Sequence, residues 1–97
     1  MNTLPGRSLR VLIADDHTLV RESLVSLLQR DGDVHVVAQA SDGLETIEKA
    51  IATRPDVVVT DIAMPRLNGI EVVRRLHEAL PDTRVLVLTM HQEDEYV

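Results

Sequence analysis

The chain has 97 residues and a mass of 10.8 kDa, which is the size of one domain and excludes a multidomain enzyme. Ten basic against sixteen acidic residues give a net charge of −6, which argues against a surface that binds nucleic acid directly through phosphate contacts. Cysteine is absent and Tyr96 is the one aromatic residue, which excludes thiolate catalysis and base-stacking platforms. Because no apolar run is long enough for a membrane span or a secretion signal, we expect a soluble cytoplasmic protein with an aliphatic core.

The first half of the chain alternates β-branched runs with stretches of helical periodicity. Leu9–Ala14 predicts a first strand, and the helix after it is expected to end at Gly32. Its apolar positions at helical spacing are Val20, Leu24, Leu27 and Leu28. A second strand is predicted over Val34–Ala40, and Asp42 can cap the next helix while Glu45 reaches back toward it. The residues expected to line the buried face of this second helix are Leu44, Ile47 and Ile51.

The second half continues the same alternation. Pro55 ends the second helix, and the apolar run Val57–Val59 predicts a central strand that continues into Asp61. Residues 62–69 contain Pro and Asn-Gly and are expected to form an irregular loop. A third helix follows, with one face made of Val72, Val73, Leu76, Ala79 and Leu80. A fourth strand is predicted over Arg84–Thr89, and residues 91–97 begin another helical pattern.

This order of elements predicts an α/β fold, a flavodoxin-like doubly wound parallel sheet. Right-handed crossovers place the strands in the order 2-1-3-4. The domain is expected to span residues 9–97, after an N-terminal extension of residues 1–8, and to end inside its fourth helix.

Acidic residues stand directly after two strands that this order makes neighbours. Asp15 and Asp16 follow the first strand and Asp61 follows the third, so their carboxylates should converge at the carboxyl edge of the sheet. Converging carboxylates repel one another unless a cation neutralises them, and hard oxygen ligands favour Mg²⁺, or Mn²⁺, over zinc. A carboxylate held there can attack a phosphoryl donor, which makes Asp61 the candidate nucleophile. Thr89, at the end of the fourth strand, could then hydrogen-bond a phosphoryl oxygen.

Simpler interpretations exist for each of these residues taken alone. An aspartate after a strand is commonly a helix cap or a turn former, and Thr89 could be an ordinary strand-end residue. His17 is expected to be a loop or cap residue, and His35, His77 and His91 show no metal-ligand spacing. The co-occurrence of three acids at the ends of the correct strands favours the functional interpretation.

These residues resemble the receiver domain of bacterial two-component response regulators, a CheY-like fold. The resemblance rests on the Asp15-Asp16 pair, on Asp61 followed by Met64-Pro65 and Asn68-Gly69, and on Thr89. The sequences of residues 14–17 and 88–91 are similar to those of the NarL/FixJ (LuxR-type) subfamily. The resemblance implies a transcriptional regulator in which a histidine kinase transfers a phosphoryl group to Asp61.

The resemblance also implies ligands and accessory roles. Mg²⁺ would be held by Asp16, Asp61 and the backbone carbonyl of Ala63, with Asp15 acting through water. Thr89 would sense the phosphoryl group, and movement of its hydroxyl would remodel the output surface. Ala63 and His91 fall at positions that tune phosphoryl lifetime; we hypothesise that Ala63 leaves room for attacking water and that His91 partly screens it. The expected chemistry is self-catalysed phosphoryl transfer and autodephosphorylation only, so no separate enzymatic activity is expected.

The chain departs from the family pattern after its fourth strand. The family's fifth-strand lysine and switch aromatic have no counterpart, since Lys49 falls in the second helix and Tyr96 in the fourth. A fifth strand, a fifth helix and the DNA-binding helix-turn-helix domain are likewise missing from residues 1–97. We therefore expect impaired or decoupled phosphorylation, and self-association through the uncovered fourth strand or the truncated fourth helix.

Other functions remain open alternatives. The runner-up is a phosphorylation-independent interaction or dimerisation module with a vestigial acidic pocket. A Mg²⁺-dependent aspartyl-phosphate hydrolase is disfavoured because the position two residues beyond Asp61 is Ala63 rather than an acid. Flavin binding is disfavoured because no phosphate-cradling turn follows the first strand.

Overall fold

Seven elements form the fold in the computed structural model, which describes residues 8–30, 32–61 and 69–88. In chain order they are β1 (Leu9–Ala14), α1 (Thr18–Leu28), β2 (Val34–Ala40), α2 (Gly43–Thr53), β3 (Val57–Asp61), α3 (Gly69–Ala79) and β4 (Arg84–Leu88). The four strands are parallel and lie in the order β2-β1-β3-β4. The predicted α/β fold and strand order are confirmed. The predicted helix over residues 91–97 lies outside the described residues.

Hydrogen bonds at the amino edge of the sheet hold β1, β3 and β4 in register. The backbone N–H of Arg10 donates to Asp56 Oδ2 at 2.9 Å, and the N–H of Asp56 returns a bond to the Arg10 carbonyl at 2.8 Å. The N–H of Arg84 donates to the Asp56 carbonyl at 3.0 Å. Because the strands start together, their carboxyl ends align at the opposite edge, where Asp61 pairs with Leu88 and Ala14 with Thr60.

Helix α2 begins and ends where the sequence predicts. Asp42 Oδ1 accepts the Glu45 N–H at 2.8 Å, and Glu45 Oε1 accepts the Ser41 N–H at 2.7 Å, so the reciprocal cap reaches one residue further back than the usual capping box. At the other end Arg54 adopts a left-handed conformation with φ 49°, and its N–H donates to the Ala50 carbonyl. Pro55 follows and prevents another helical turn.

The core lies between the sheet and helices α2 and α3. Its buried apolar residues are Leu12, Ala14, Ala40, Ala50, Val58, Val72, Leu76 and Leu80. The apolar face predicted for α3 is confirmed at three of its positions, Val72, Leu76 and Leu80, whereas Ala79 is exposed.

The buried face of α2 differs from the prediction. The helix buries Gly43, Thr46 and Ala50, while Ile51 is 47% exposed and Leu44 and Ile47 are half-buried. Small side chains at one face let the helix backbone approach the sheet closely, and the larger ones then lie at the flanks of the contact. The prediction that Ile51 lines the buried face is therefore wrong.

Helix α1 covers the opposite face of the sheet more loosely. None of its residues is fully buried; Val20, Leu24 and Leu28 are half-buried, and Leu27 is 57% exposed. Across the described residues, no helix has the length and hydropathy that a membrane crossing requires.

Candidate metal centre

Three acidic side chains converge at the carboxyl edge of the sheet, as their positions after β1 and β3 predict. Asp15 and Asp61 are buried, with 3% and 4% of their surface exposed, and Asp16 is exposed. Each of these side chains, and the neighbouring His17, offers one ligand atom, and the four atoms all lie within 4.8 Å of one another. Residues distant in sequence thus form one compact group of donors.

Backbone contacts fix the position of Asp15. Its N–H donates to the Ala40 carbonyl of β2 at 3.0 Å, so the ladder between β1 and β2 continues one residue beyond the strand. Its carbonyl accepts a hydrogen bond from Arg21 Nη1 of α1 at 2.7 Å. Arg21 Nε also donates to Gln39 Oε1 at 3.2 Å, so this guanidinium connects α1 to the ends of β1 and β2.

Asp61 is held by its place in a central strand. It is the last residue of β3, and its register partner Leu88 ends β4. The adjacent Thr60 is fully buried, and its hydroxyl donates to the Asp61 carbonyl at 3.1 Å. The strand therefore presents the Asp61 carboxylate at the sheet edge, next to the residues that follow β1.

His17 belongs to this group, which the sequence interpretation did not foresee. It occupies the N-cap position of α1, as a cap residue would, but its side chain caps no helical N–H. Its imidazole Nδ1 instead lies 2.8 Å from Asp15 Oδ1 and 3.2 Å from Asp16 Oδ1. The signal available in the sequence was its position directly after the acid pair, since the other three histidines have no such neighbours.

The local charges favour a cation at this edge. The hydrogen bond with Asp15 and the negative charges of Asp16 and Asp61 raise the pKa of the His17 imidazole above its ordinary value of 6.5. Two like unit charges about 4 Å apart near a protein surface repel by about 4 kcal/mol, so three convergent carboxylates need a positive partner. A divalent cation would supply two positive charges.

The donors also fit such a cation chemically. Carboxylate oxygens are the ligands that Mg²⁺ and Mn²⁺ prefer, and the exposed side of the group leaves room for the waters that Mg²⁺ retains. The residues present can therefore hold a divalent metal ion.

Three of the predicted site residues lie outside the described residues. They are Ala63, whose backbone carbonyl was expected to bind the metal, Thr89, the expected phosphoryl-sensing hydroxyl, and His91, the expected tuning residue. Their roles remain predictions from the resemblance.

Comparison with known proteins agrees with the fold and the acidic group. Residues 11–97 match the family described as "response regulator receiver domain". The oxygen regulatory protein NreC of Staphylococcus epidermidis is 39% identical over 90 residues, which cover 92% of this chain and 41% of NreC. The chain thus spans about two fifths of the length of the curated relatives it matches.

Solved structures of receiver domains have the same architecture. The signal receiver domain of NarL from Mycobacterium tuberculosis superposes with a TM-score of 0.84 at 39% identity, covering 95% of this chain and 74% of that one. A LuxR-family two-component response regulator from Aurantimonas sp. SI85-9A1 superposes with a TM-score of 0.82 at 38% identity, covering 88% and 61%.

Proposed function

The chain belongs to the response regulator receiver domain family of two-component systems, in the NarL/LuxR-type group, and we propose that Asp61 accepts a phosphoryl group from a histidine kinase. The observation that carries this proposal is the burial of Asp61 at the end of β3 with its carboxylate within 4.8 Å of the Asp15, Asp16 and His17 donors. Phosphorylation of the chain by a small phosphoryl donor in the presence of Mg²⁺, located by peptide mass spectrometry, tests it.

In the proposed reaction Asp61 is the nucleophile. One of its carboxylate oxygens attacks the phosphorus of a phosphohistidine, so that an O–P bond forms, the N–P bond breaks, and the departing imidazole of the kinase takes up a proton. Asp16 and Asp61 would hold Mg²⁺, with Asp15 acting through water, and the bound ion would supply positive charge that offsets the negative charge of the phosphoryl oxygens. The acyl phosphate would then be lost by self-catalysed hydrolysis, at a rate that Ala63 and His91 tune.

The acid pair and Asp61 should make the stability of the chain depend on Mg²⁺. A ligand at ten times its dissociation constant stabilises the folded state by about 1.4 kcal/mol, which corresponds to roughly 5–10 °C in Tm for a domain of this size. We expect Asp16→Asn to remove most of this shift, because it removes a ligand charge while its exposed position spares the core.

Thermal unfolding followed by circular dichroism, with Mg²⁺ or with a chelator, measures this difference. Glu48→Gln is the matched control, because it removes one negative charge from an exposed position of α2, and its Mg²⁺ shift should equal that of the unaltered chain. A Mg²⁺ shift that Asp16→Asn leaves intact would show that the cation binds elsewhere.

The output of the full-length protein is proposed from the relatives. The chain is similar to transcriptional regulators, and we propose that phosphorylation of Asp61 changes a surface that controls DNA binding by a separate C-terminal helix-turn-helix domain. Movement of the Thr89 hydroxyl toward the phosphoryl group would begin that change. A cytoplasmic location is part of the same proposal.

A second candidate function, self-association, is favoured by the surface of β4. Within the described residues β4 pairs only with β3, and three of its apolar side chains are exposed, Leu86 at 56%, Val87 at 43% and Leu88 at 38%. An edge strand with such side chains can pair with a second copy of the chain.

We expect Leu86→Lys to shift the chain toward monomer in sedimentation velocity. Leu19→Lys, at an exposed position of α1, is the control. A monomeric mass at all concentrations excludes this function.

A further inference from the structure

His17 takes no part in the proposed phosphoryl transfer, yet its side chain lies among the metal-binding carboxylates. We propose that His17 Nδ1 is an additional ligand of the cation site and biases that site toward first-row transition cations such as Co²⁺ and Ni²⁺ relative to Mg²⁺. The inference rests on the metal site of the proposed function and extends it to the choice of cation.

The distances around Nδ1 match those between neighbouring ligands of one metal ion. Nδ1 is 2.8 Å from Asp15 Oδ1 and 3.2 Å from Asp16 Oδ1. Adjacent ligands in an octahedron with bonds of about 2.1 Å are separated by about 3.0 Å. The two observed spacings lie on either side of that value, so a cation that binds the two carboxylates can also reach the imidazole nitrogen with small adjustments.

The start of α1 fixes the position of His17. Its backbone N–H donates to Asp15 Oδ1 at 2.8 Å, and its carbonyl accepts the Arg21 N–H at 2.9 Å as the helix begins. In the described part of the chain, the ring contacts the carboxylates of Asp15 and Asp16 through Nδ1. The side chain is 59% exposed, so a hydrated cation can approach it from solvent.

Ligand chemistry then gives the direction of the bias. Mg²⁺ prefers oxygen ligands and releases its waters reluctantly, so an imidazole adds little to its affinity. Neutral imidazole is a good ligand for later transition metals, and affinity rises from Mn²⁺ through Co²⁺ to Ni²⁺. Loss of the His17 ring should therefore weaken Ni²⁺ and Co²⁺ binding selectively.

The test compares cation affinities of the untagged chain and of His17→Gln by isothermal titration calorimetry. At about pH 8, where a bound metal ion can displace the imidazole proton, we expect His17→Gln to weaken Ni²⁺ and Co²⁺ binding roughly 10- to 100-fold, at least the loss produced by removing a partner that supports a metal ligand. Mg²⁺ affinity should change by less than about twofold, because oxygen ligands dominate its binding. The absorption spectrum of bound Co²⁺ should also change. His35→Gln, which removes an exposed imidazole from β2, is the matched control and should change none of these quantities.

Other results of this titration would overturn the inference, and one of them would also refute the metal site. Equal weakening of Mg²⁺ and Ni²⁺ binding would overturn the inference, because His17 would then only position the carboxylates. Unchanged Ni²⁺ and Co²⁺ affinity would also overturn it, while Mg²⁺ binding that depends on Asp16 would leave the proposed function standing. If Asp16→Asn altered the affinity of none of these cations, the metal site itself would be refuted together with the inference.

Discussion

Asp61→Asn is expected to abolish labelling of the chain by acetyl phosphate or phosphoramidate in the presence of Mg²⁺. The amide is nearly the same size as the carboxylate but cannot form an acyl phosphate, so the nucleophile is lost while the end of β3 keeps its shape. Intact-mass spectrometry would detect one added phosphoryl group on the unaltered chain and none on the variant. Borohydride reduction followed by peptide mapping would locate the acyl phosphate at residue 61.

A matched control separates this chemical effect from an indirect one. Asp82→Asn makes the same change at an exposed turn before β4, and its labelling should equal that of the unaltered chain. Circular dichroism of Asp61→Asn should show that the fold persists. Labelling that survives in Asp61→Asn and maps to Asp15 or Asp16 would transfer the phosphoacceptor role to the acid pair. We expect labelling of the unaltered chain to be slow, because the family's fifth-strand lysine has no counterpart in residues 1–97. Absence of Mg²⁺-dependent labelling even after prolonged incubation would contradict the proposed function.

The convergence of Asp15 and Asp61 could be predicted from the sequence because it follows from topology. Their separation along the chain spans two strands and two helices, and right-handed crossovers leave β1 and β3 as neighbours. Burial of Val58 also follows, since a central strand of a parallel sheet has an apolar run, whereas Val57 and Val59 on the other face are half-buried. The sheet edge that carries the site was therefore predictable without knowing any side-chain conformation.

The conformation of His17 could not be predicted in the same way. A strand-end or cap position specifies the backbone, but the direction of an exposed imidazole depends on side-chain rotation and on the local charges. Here Asp15 and Asp16 both attract the ring, and their combined charge is a property of the folded site. The sequence indicates this contact only because His17 directly follows Asp15 and Asp16.

The packing of α2 was mispredicted for a different physical reason. Apolar periodicity places Ile51 on the buried face of the helix, yet the residues that the helix buries are Gly43, Thr46 and Ala50. The distance between helix and sheet decides which side chains are buried, and small residues permit the closest approach. Hydrophobicity alone does not report that distance.

Leu76→Ala is expected to lower the free energy of unfolding by about 3–4 kcal/mol. Leu76 is 0% exposed and packs in the cluster that holds α3 against the sheet, so the alanine leaves a cavity that the rigid strands cannot fill. Native domains of this size are stable by roughly 5–15 kcal/mol, so the variant should lose a large part of its stability. Leu19→Ala, at a position 78% exposed on α1, should change it by less than about 0.5 kcal/mol.

Urea denaturation measures the loss of unfolding free energy in Leu76→Ala. Repeating it with and without Mg²⁺ tests whether that loss is independent of the metal-binding group. The midpoint of Leu76→Ala should fall by more than about 1 M urea at unchanged slope. Leu76 lies in the core cluster and outside the group of metal donors, so the stabilisation by Mg²⁺ should be the same in the variant and the unaltered chain within about 0.5 kcal/mol. A smaller Mg²⁺ increment in Leu76→Ala would contradict this independence and would show that α3 packing positions the carboxylates. Equal midpoints for the two leucine variants would contradict the assignment of Leu76 to the core.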